Sequence, residues 1–247
     1  MTAPAPHTGA ARVAAWDLPT RLFHWTLLAL VVSAWVTYEF AEPLGDETLV
    51  WHRANGLAIL TLLVWRLLWG VFGSSTARFA GFVRGPARAL AYARGLAAGH
   101  GRPFLGHNPL GAFMVIALIA TLLAMGTFGL FATDYNDLVG GPLYRLVGEA
   151  GNATATRLHG QLFNYVLLPL VALHVTVNAL YTFLKKEPLI QAMITGRKPA
   201  AAYADAAHAE IVPYAGLKAI LCLAVAAAIV AGQWHAVRRR TTESSGQ

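Results

Sequence analysis

Nine histidines and one cysteine bound the chemistry open to this 247-residue sequence. The lone thiol, Cys222, cannot form an internal disulfide, a thiolate zinc centre or an iron–sulfur cluster. No Cys-x-x-Cys-His run occurs, which excludes covalent attachment of a c-type haem. Four histidines, His24, His52, His159 and His174, stand inside or at the ends of long apolar runs. Ionisable side chains in such runs are costly and are functional candidates by default. A single one could simply hydrogen-bond a neighbouring helix, so their significance lies in where the four fall together. His159 and His174 share one run, fifteen residues apart. On an α-helix that is roughly 22 Å of rise with directions about 60° apart, so both can face one interior. Neutral imidazole is a general ligand for transition metals, and metal ligation is the chemistry these residues suggest.

The elements that must position them are membrane spans. Hydrophobic residues make up 56% of the chain, charged residues only 13%, and mean hydropathy is +0.50. A soluble domain carries roughly a quarter charged residues. Apolar runs extend over Leu22 to Phe40, Leu49 to Phe72, Leu110 to Ala132 and Leu158 to Leu184, with a last from Ile211 to Trp234. Crossing hydrocarbon takes ~20 residues, so these are spans. Asp17, Pro19 and Thr20 start the first helix. The first fifteen residues lack a signal-peptide core, so the first helix serves as an uncleaved anchor. The stretch from Gly73 to Gly106 holds Arg78, Arg84, Arg88, Arg94 and Arg102 without an acid. Its Phe79, Phe82, Val83, Leu90, Tyr92 and Leu96 suggest a short amphipathic helix on the membrane surface.

Lysine and arginine bias sets the orientation. The basic connection between runs two and three lies in the cytoplasm, and the acidic loops after runs one and three lie outside. The amino terminus and Lys185–Lys186 are then cytoplasmic. The fifth run breaks this pattern, because spanning carries Arg238, Arg239 and Arg240 outward. Its hydrophobicity nevertheless predicts a span. The net charge of +7 follows from this loop bias and calls for no nucleic-acid partner.

With that topology the histidines match in depth. His24 and His174 fall near the inner face, His52 and His159 near the outer. Two imidazoles from facing helices at one depth suit a six-coordinate haem, and helix bundles commonly build such sites. Zinc fits poorly, because the pairs are too far apart for one tetrahedral site. Arg21, Arg53, Arg66 and Arg157 lie close to these histidines and can pair with propionates through parallel hydrogen bonds. Helix-end snorkelling explains the others as well, but Arg66 interrupts an apolar stretch. His107, in Gly106-His107-Asn108-Pro109-Leu110-Gly111, could meet a propionate or a quinone headgroup. Capping by Asn108 before Pro109 explains the segment equally well. Gly56, Gly111, Gly126 and Gly129 could make room for a porphyrin or allow close helix packing. His7, His100 and His208 read as solvated, and His235 has no partner in view.

Trp16-Asp17-Leu18-Pro19-Thr20-Arg21-Leu22-Phe23-His24-Trp25 resembles the opening of bacterial cytochrome b561 proteins and of the b-type cytochrome subunit of nickel–iron hydrogenases. Similar segments are Arg66-Leu67-Leu68-Trp69-Gly70, Ala77-Arg78-Phe79, Phe82-Val83-Arg84 and Gly106-His107-Asn108-Pro109-Leu110-Gly111. Leu130-Phe131-Ala132-Thr133-Asp134, Leu158-His159-Gly160, Leu173-His174 and Ala192-Met193-Ile194-Thr195-Gly196-Arg197-Lys198 complete the likeness. The resemblance covers about residues 15 to 198.

It implies an all-α integral membrane fold in the bacterial inner membrane, with a four-helix haem-binding bundle; the fifth C-terminal transmembrane helix lies outside the resemblance and rests on hydropathy. It also implies two b haems per chain, ligated by His24, His52, His159 and His174. Residues 1–198 form the di-haem domain, and 199–247 a linker, the extra helix and a basic tail. Family members pass electrons between a redox partner, such as a hydrogenase or a c-type cytochrome, and the quinone pool. The alternatives are a membrane anchor with structural haem and a transporter using the histidines as a relay. The shortage of intramembrane carboxylates counts against the transporter.

Overall fold

A computed structural model describes residues 11–45, 47–133 and 139–244. A short strand β1 (Arg12–Ala14) leads into helix α1 (Leu18–Glu39), followed by α2 (Ala41–Leu44) and α3 (Glu47–Phe72). Two short helices, α4 (Phe79–Phe82) and α5 (Pro86–Ala97), connect α3 to α6 (Pro109–Phe131). Helix α7 (Gly148–Leu162) runs through a π turn (Phe163–Leu167) into α8 (Leu168–Phe183). Helix α9 (Leu189–Thr195), strand β2 (Arg197–Pro199) and the long α10 (Ala215–Ser244) complete the chain. The protein is an all-α membrane bundle, and five helical stretches are long and apolar enough to cross a bilayer.

Local chemistry places the helix starts. The Asp17 carboxylate accepts the Thr20 amide at 2.8 Å, and Pro19 occupies the first turn of α1. Asn108 caps α6 in the same way, accepting from Gly111 N at 2.8 Å ahead of Pro109. The π turn also has a local cause. Pro169 has no amide hydrogen, so the Tyr165 carbonyl lacks its intrahelical donor. The helix widens just before it, and Leu168 N donates to Phe163 O five residues back. The fourth span therefore begins ten residues earlier than the apolar run suggests, at Gly148 rather than Leu158, and is not one regular helix.

The apolar core occupies mid-depth. Ile59 and Leu63 of α3, Ile119, Leu122 and Met125 of α6, and Leu167 of the π turn are buried together. Leu27, Leu30 and Val31 of α1 and Val171 of α8 pack around them. Gly126 brings α6 onto α3, since a Cβ there would stand 2.5 Å from Leu60 Cδ2. Helix α10 packs on α3: Trp65 donates to the Ala219 carbonyl at 2.9 Å, and Trp65, Trp69, Cys222 and Ala226 form a buried cluster. Ile229 and Val230 line an apolar cleft with Leu60 and Leu130. Helix α10 is thus antiparallel to α3, with mean hydropathy 2.2 against 2.3 for α6.

One feature lies outside the helical reading of the sequence. Strands β1 and β2 pair antiparallel, Arg12 opposite Pro199 and Ala14 opposite Arg197. Gly196 makes the link possible: its φ is +79°, and its carbonyl accepts both Ala15 N and Trp16 N. Asp205 accepts the Leu105 and Gly106 amides at 2.6 and 2.9 Å, closing a small cluster around Trp16, Leu105 and Ala192. This cap covers the end of the bundle where α1 begins.

Candidate haem site

The four membrane histidines meet in two cross-bundle pairs. His24 of α1 faces His174 of α8 with ring centroids 6.4 Å apart and planes at 44°. His52 of α3 faces His159 of α7 at 6.0 Å and 78°. The first pair lies at the face of the basic α3–α6 connection, the second at the opposite face, with the apolar core between them. Two imidazoles sharing one metal ion through nitrogens at ~2 Å have ring centres about 6 Å apart. Among the described residues no three His, Cys, Asp or Glu side chains gather as a metal-ligand group.

The far pair is oriented by main-chain carbonyls. His52 Nδ1 lies 2.7 Å from Ala34 O, and His159 Nδ1 lies 2.9 Å from Met125 O. A carbonyl only accepts, so each Nδ1 carries the proton and each Nε2 keeps its lone pair for a ligand. Beside this pair the backbone is open. Gly56 is one turn from His52, and a Cβ built there meets nothing within 4 Å. The Tyr38 ring stands 5.6 Å from His52. The basic-face pair is held differently. Trp25 meets His24 edge-on at 5.0 Å, and His24 Nδ1 is buried without a protein partner among the described residues. Asn178 Nδ2 donates to the His174 carbonyl at 2.7 Å and lies 3.4 Å from His174 Nδ1, the limit of a hydrogen bond.

The arginines differ from one another. Arg66 is 3% exposed, donates to Ala77 O at 3.0 Å and lies 4.7 Å from the centre of the Phe79 ring. Its Nη1 has no partner among the described residues. Arg21 donates to Ile194 O at 2.6 Å, leaving Nε buried and unpaired among the described residues. Arg53 donates to Gly140 O at 3.3 Å, which ties it to the loop after α6. Arg157 is exposed, two residues before His159. His107 packs against Phe82 and Trp16 at 4.5 and 4.8 Å. Burial first, then the charges of Arg66 and Lys198, push its pKa down to about 3, so it is neutral. Unpaired buried donors on Arg21 and Arg66, near the His24–His174 pair, suit an anionic group such as a propionate.

The family model for prokaryotic cytochrome b561 matches residues 15–196. This chain belongs to the prokaryotic cytochrome b561 family. It is a membrane b-type cytochrome, and its work is electron transfer. Comparison with curated proteins and with solved structures returned no match. The match ends at Gly196, so it takes in all four histidines and stops short of α10.

The residues present fit a b-type haem: ring spacing at each pair accommodates it, and the far pair adds free Nε2 positions and an open glycine face. Sequence reasoning missed three contributors. The carbonyls of Ala34 and Met125 carry no side-chain signal, so nothing in the sequence could have marked them. Asn178 had one, a lone amide one turn after His174 in an apolar run. His7 lies outside the described residues, as do Asp134 of the family-like segment and the side chains of His235 and Arg238–Arg240. His100 is exposed in the connection before α6, and His208 is exposed in the segment before α10.

Proposed function

We propose that this cytochrome b561 carries two b haems, one between His24 and His174 and one between His52 and His159, and moves electrons between a redox partner and the quinone pool. Bound haem supplies a one-electron iron couple whose potential depends on its axial ligands and surroundings. The chain's own residues supply everything else. A histidine from each side would hold the group and leave no position for a small ligand, which favours electron transfer. The Ala34 and Met125 carbonyls fix the tautomer and aim of the far ligands. The mid-depth layer of Ile59, Leu63, Ile119, Leu122 and Leu167 keeps water from the space between the pairs. Arg21 and Arg66 offer unpaired donors for propionates at the basic face. Arg53 and Arg157 would serve the far pair, and His107 a propionate or quinone headgroup.

The observation that carries this reading is the meeting of four histidines, from four helical segments, as two pairs at 6.4 and 6.0 Å. The basic face is cytoplasmic by the positive-inside rule, which puts the amino terminus inside. The test is a reduced-minus-oxidised spectrum of purified protein with a pyridine haemochrome count. Two b haems per chain are expected, and His174→Ala should lose the basic-face component while the far component stays. Two unaltered components in that variant would sink the assignment of the pairs.

A further inference from the structure

Between α3 and α6 the chain stays at one face of the membrane, and this stretch is unlike any other. It carries Arg78, Arg84, Arg88, Arg94 and Arg102 with no Asp or Glu. All five arginines are exposed, and none pairs with an acid among the described residues. Both ends of the stretch are fixed to spans, at Phe72 and at Pro109. Helix α5 is held against the bundle on its Ala89, Tyr92 and Leu96 side: Ala89 is buried, and Tyr92 meets Phe104 edge-on at 5.5 Å. Tyr92 also neighbours Tyr181 near the end of α8, where Lys185 Nζ lies 4.5 Å from the Tyr181 ring. Helix α5 is therefore pinned at the depth where α8 leaves the hydrocarbon. Among the arginines, Val83 is 43% exposed and Leu90 52% exposed.

We infer that the α4–α5 segment is a binding surface for anionic phospholipid. Guanidinium forks on Arg84, Arg88 and Arg94 match phosphodiester oxygens through paired charge-assisted hydrogen bonds. Val83 and Leu90 enter the boundary between headgroups and acyl chains, as the apolar residues of interfacial helices do. Fixed attachment to two spans keeps the arginines within a Debye length of the lipid surface. An acidic soluble protein would answer the charge but not the exposed apolar side chains at that depth.

The test uses the full-length haem-loaded protein in detergent, with bound lipid counted by native mass spectrometry. Phosphatidylglycerol should bind at least ~10-fold more tightly than phosphatidylcholine of the same chains, since each surface arginine contributes about 5-fold. R84Q/R88Q/R94Q should erase that preference, and the corresponding lysine variant, which keeps the charge but not the forks, should retain only part of it. An unchanged haem spectrum verifies that each variant is folded, and R88Q alone serves if the triple variant is not. Equal binding of the two lipids by the unmodified protein would overturn the inference. A preference that survives the glutamine substitutions would overturn it too. Displacement of phosphatidylglycerol by millimolar inorganic phosphate would do the same, because it would reveal a site for free phosphate.

Discussion

At the residue scale the two histidine pairs are built with different tolerance. The far pair is fixed by carbonyls at 2.7 and 2.9 Å, whereas His24 Nδ1 has no protein partner and His174 has only a marginal one. Backbone groups in a span are already committed to the helix, so a carbonyl that also receives an imidazole is an exact constraint on the ring. Gly129 is part of it. A Cβ at that position would stand 3.3 Å from both Cε1 and Nδ1 of His159, so the ring must give by a few tenths of an ångström, against its hydrogen bond to the Met125 carbonyl. Gly129→Ala should therefore shift the midpoint potential and low-spin resonance of the far haem and leave the His24–His174 haem unchanged. Redox titration followed by electron paramagnetic resonance checks this. A shift confined to the other component would mean that the far ring is not held this way.

At the element scale the π turn governs how one helix serves both levels. Regular α-helix would set His159 and His174 about 60° apart in direction. The turn absorbs one residue, so the offset becomes about 40° in the other sense, and both rings still face inward. The turn therefore behaves as a one-residue insertion. Tyr165, 77% exposed within it, is the residue to remove. Deleting Tyr165 should remove the extra residue of the turn, leaving only a kink at Pro169, keep both pairs in phase and hold the haem count at the unmodified value. Deleting Thr61 from the regular helix α3 has no such outlet. It turns His52 about 100° against the mid-depth core and should lose the far haem. The pyridine haemochrome assay distinguishes the two, and equal haem loss in both deletions would refute this account of the turn.

At the scale of the whole molecule α10 is a fifth span added to a bundle that already holds every histidine of the proposed ligand pairs. It packs on Trp65 and Trp69, and Ala226 at its contact with α3 is 0% exposed. Without a hydrophobic force between helices in lipid, such a contact depends on close packing by small residues. Ala226→Leu overfills it, and overpacking costs about 1–3 kcal/mol. The expected result is a lower thermal midpoint followed at the Soret band, with haem content and spectrum unchanged at low temperature. Haem loss at low temperature would show that α10 shapes the ligand bundle itself. Orientation belongs to this scale as well: Arg238–Arg240 fall in the last turns of α10, at the face opposite the basic connection. The fifth span thus runs against the charge bias that the first four obey.

The sequence by itself determined the membrane class, the approximate spans and the four histidines worth watching. Hydropathy and a 1.5 Å rise per residue convert position into depth with little help from context. It also marked the caps at Asp17 and Asn108, because capping is a property of a few adjacent residues. Depth alone already set His24 level with His174 and His52 level with His159. Only the tertiary structure decided how closely their rings approach, that Ala34 and Met125 supply the orienting carbonyls, and that Gly126 packs while Gly56 faces open space. It alone paired residues 12–14 with 197–199 and set α10 on α3. The reason is physical: depth follows from local composition, but azimuth, partner choice and backbone acceptors depend on residues remote in the chain. No local pattern records those.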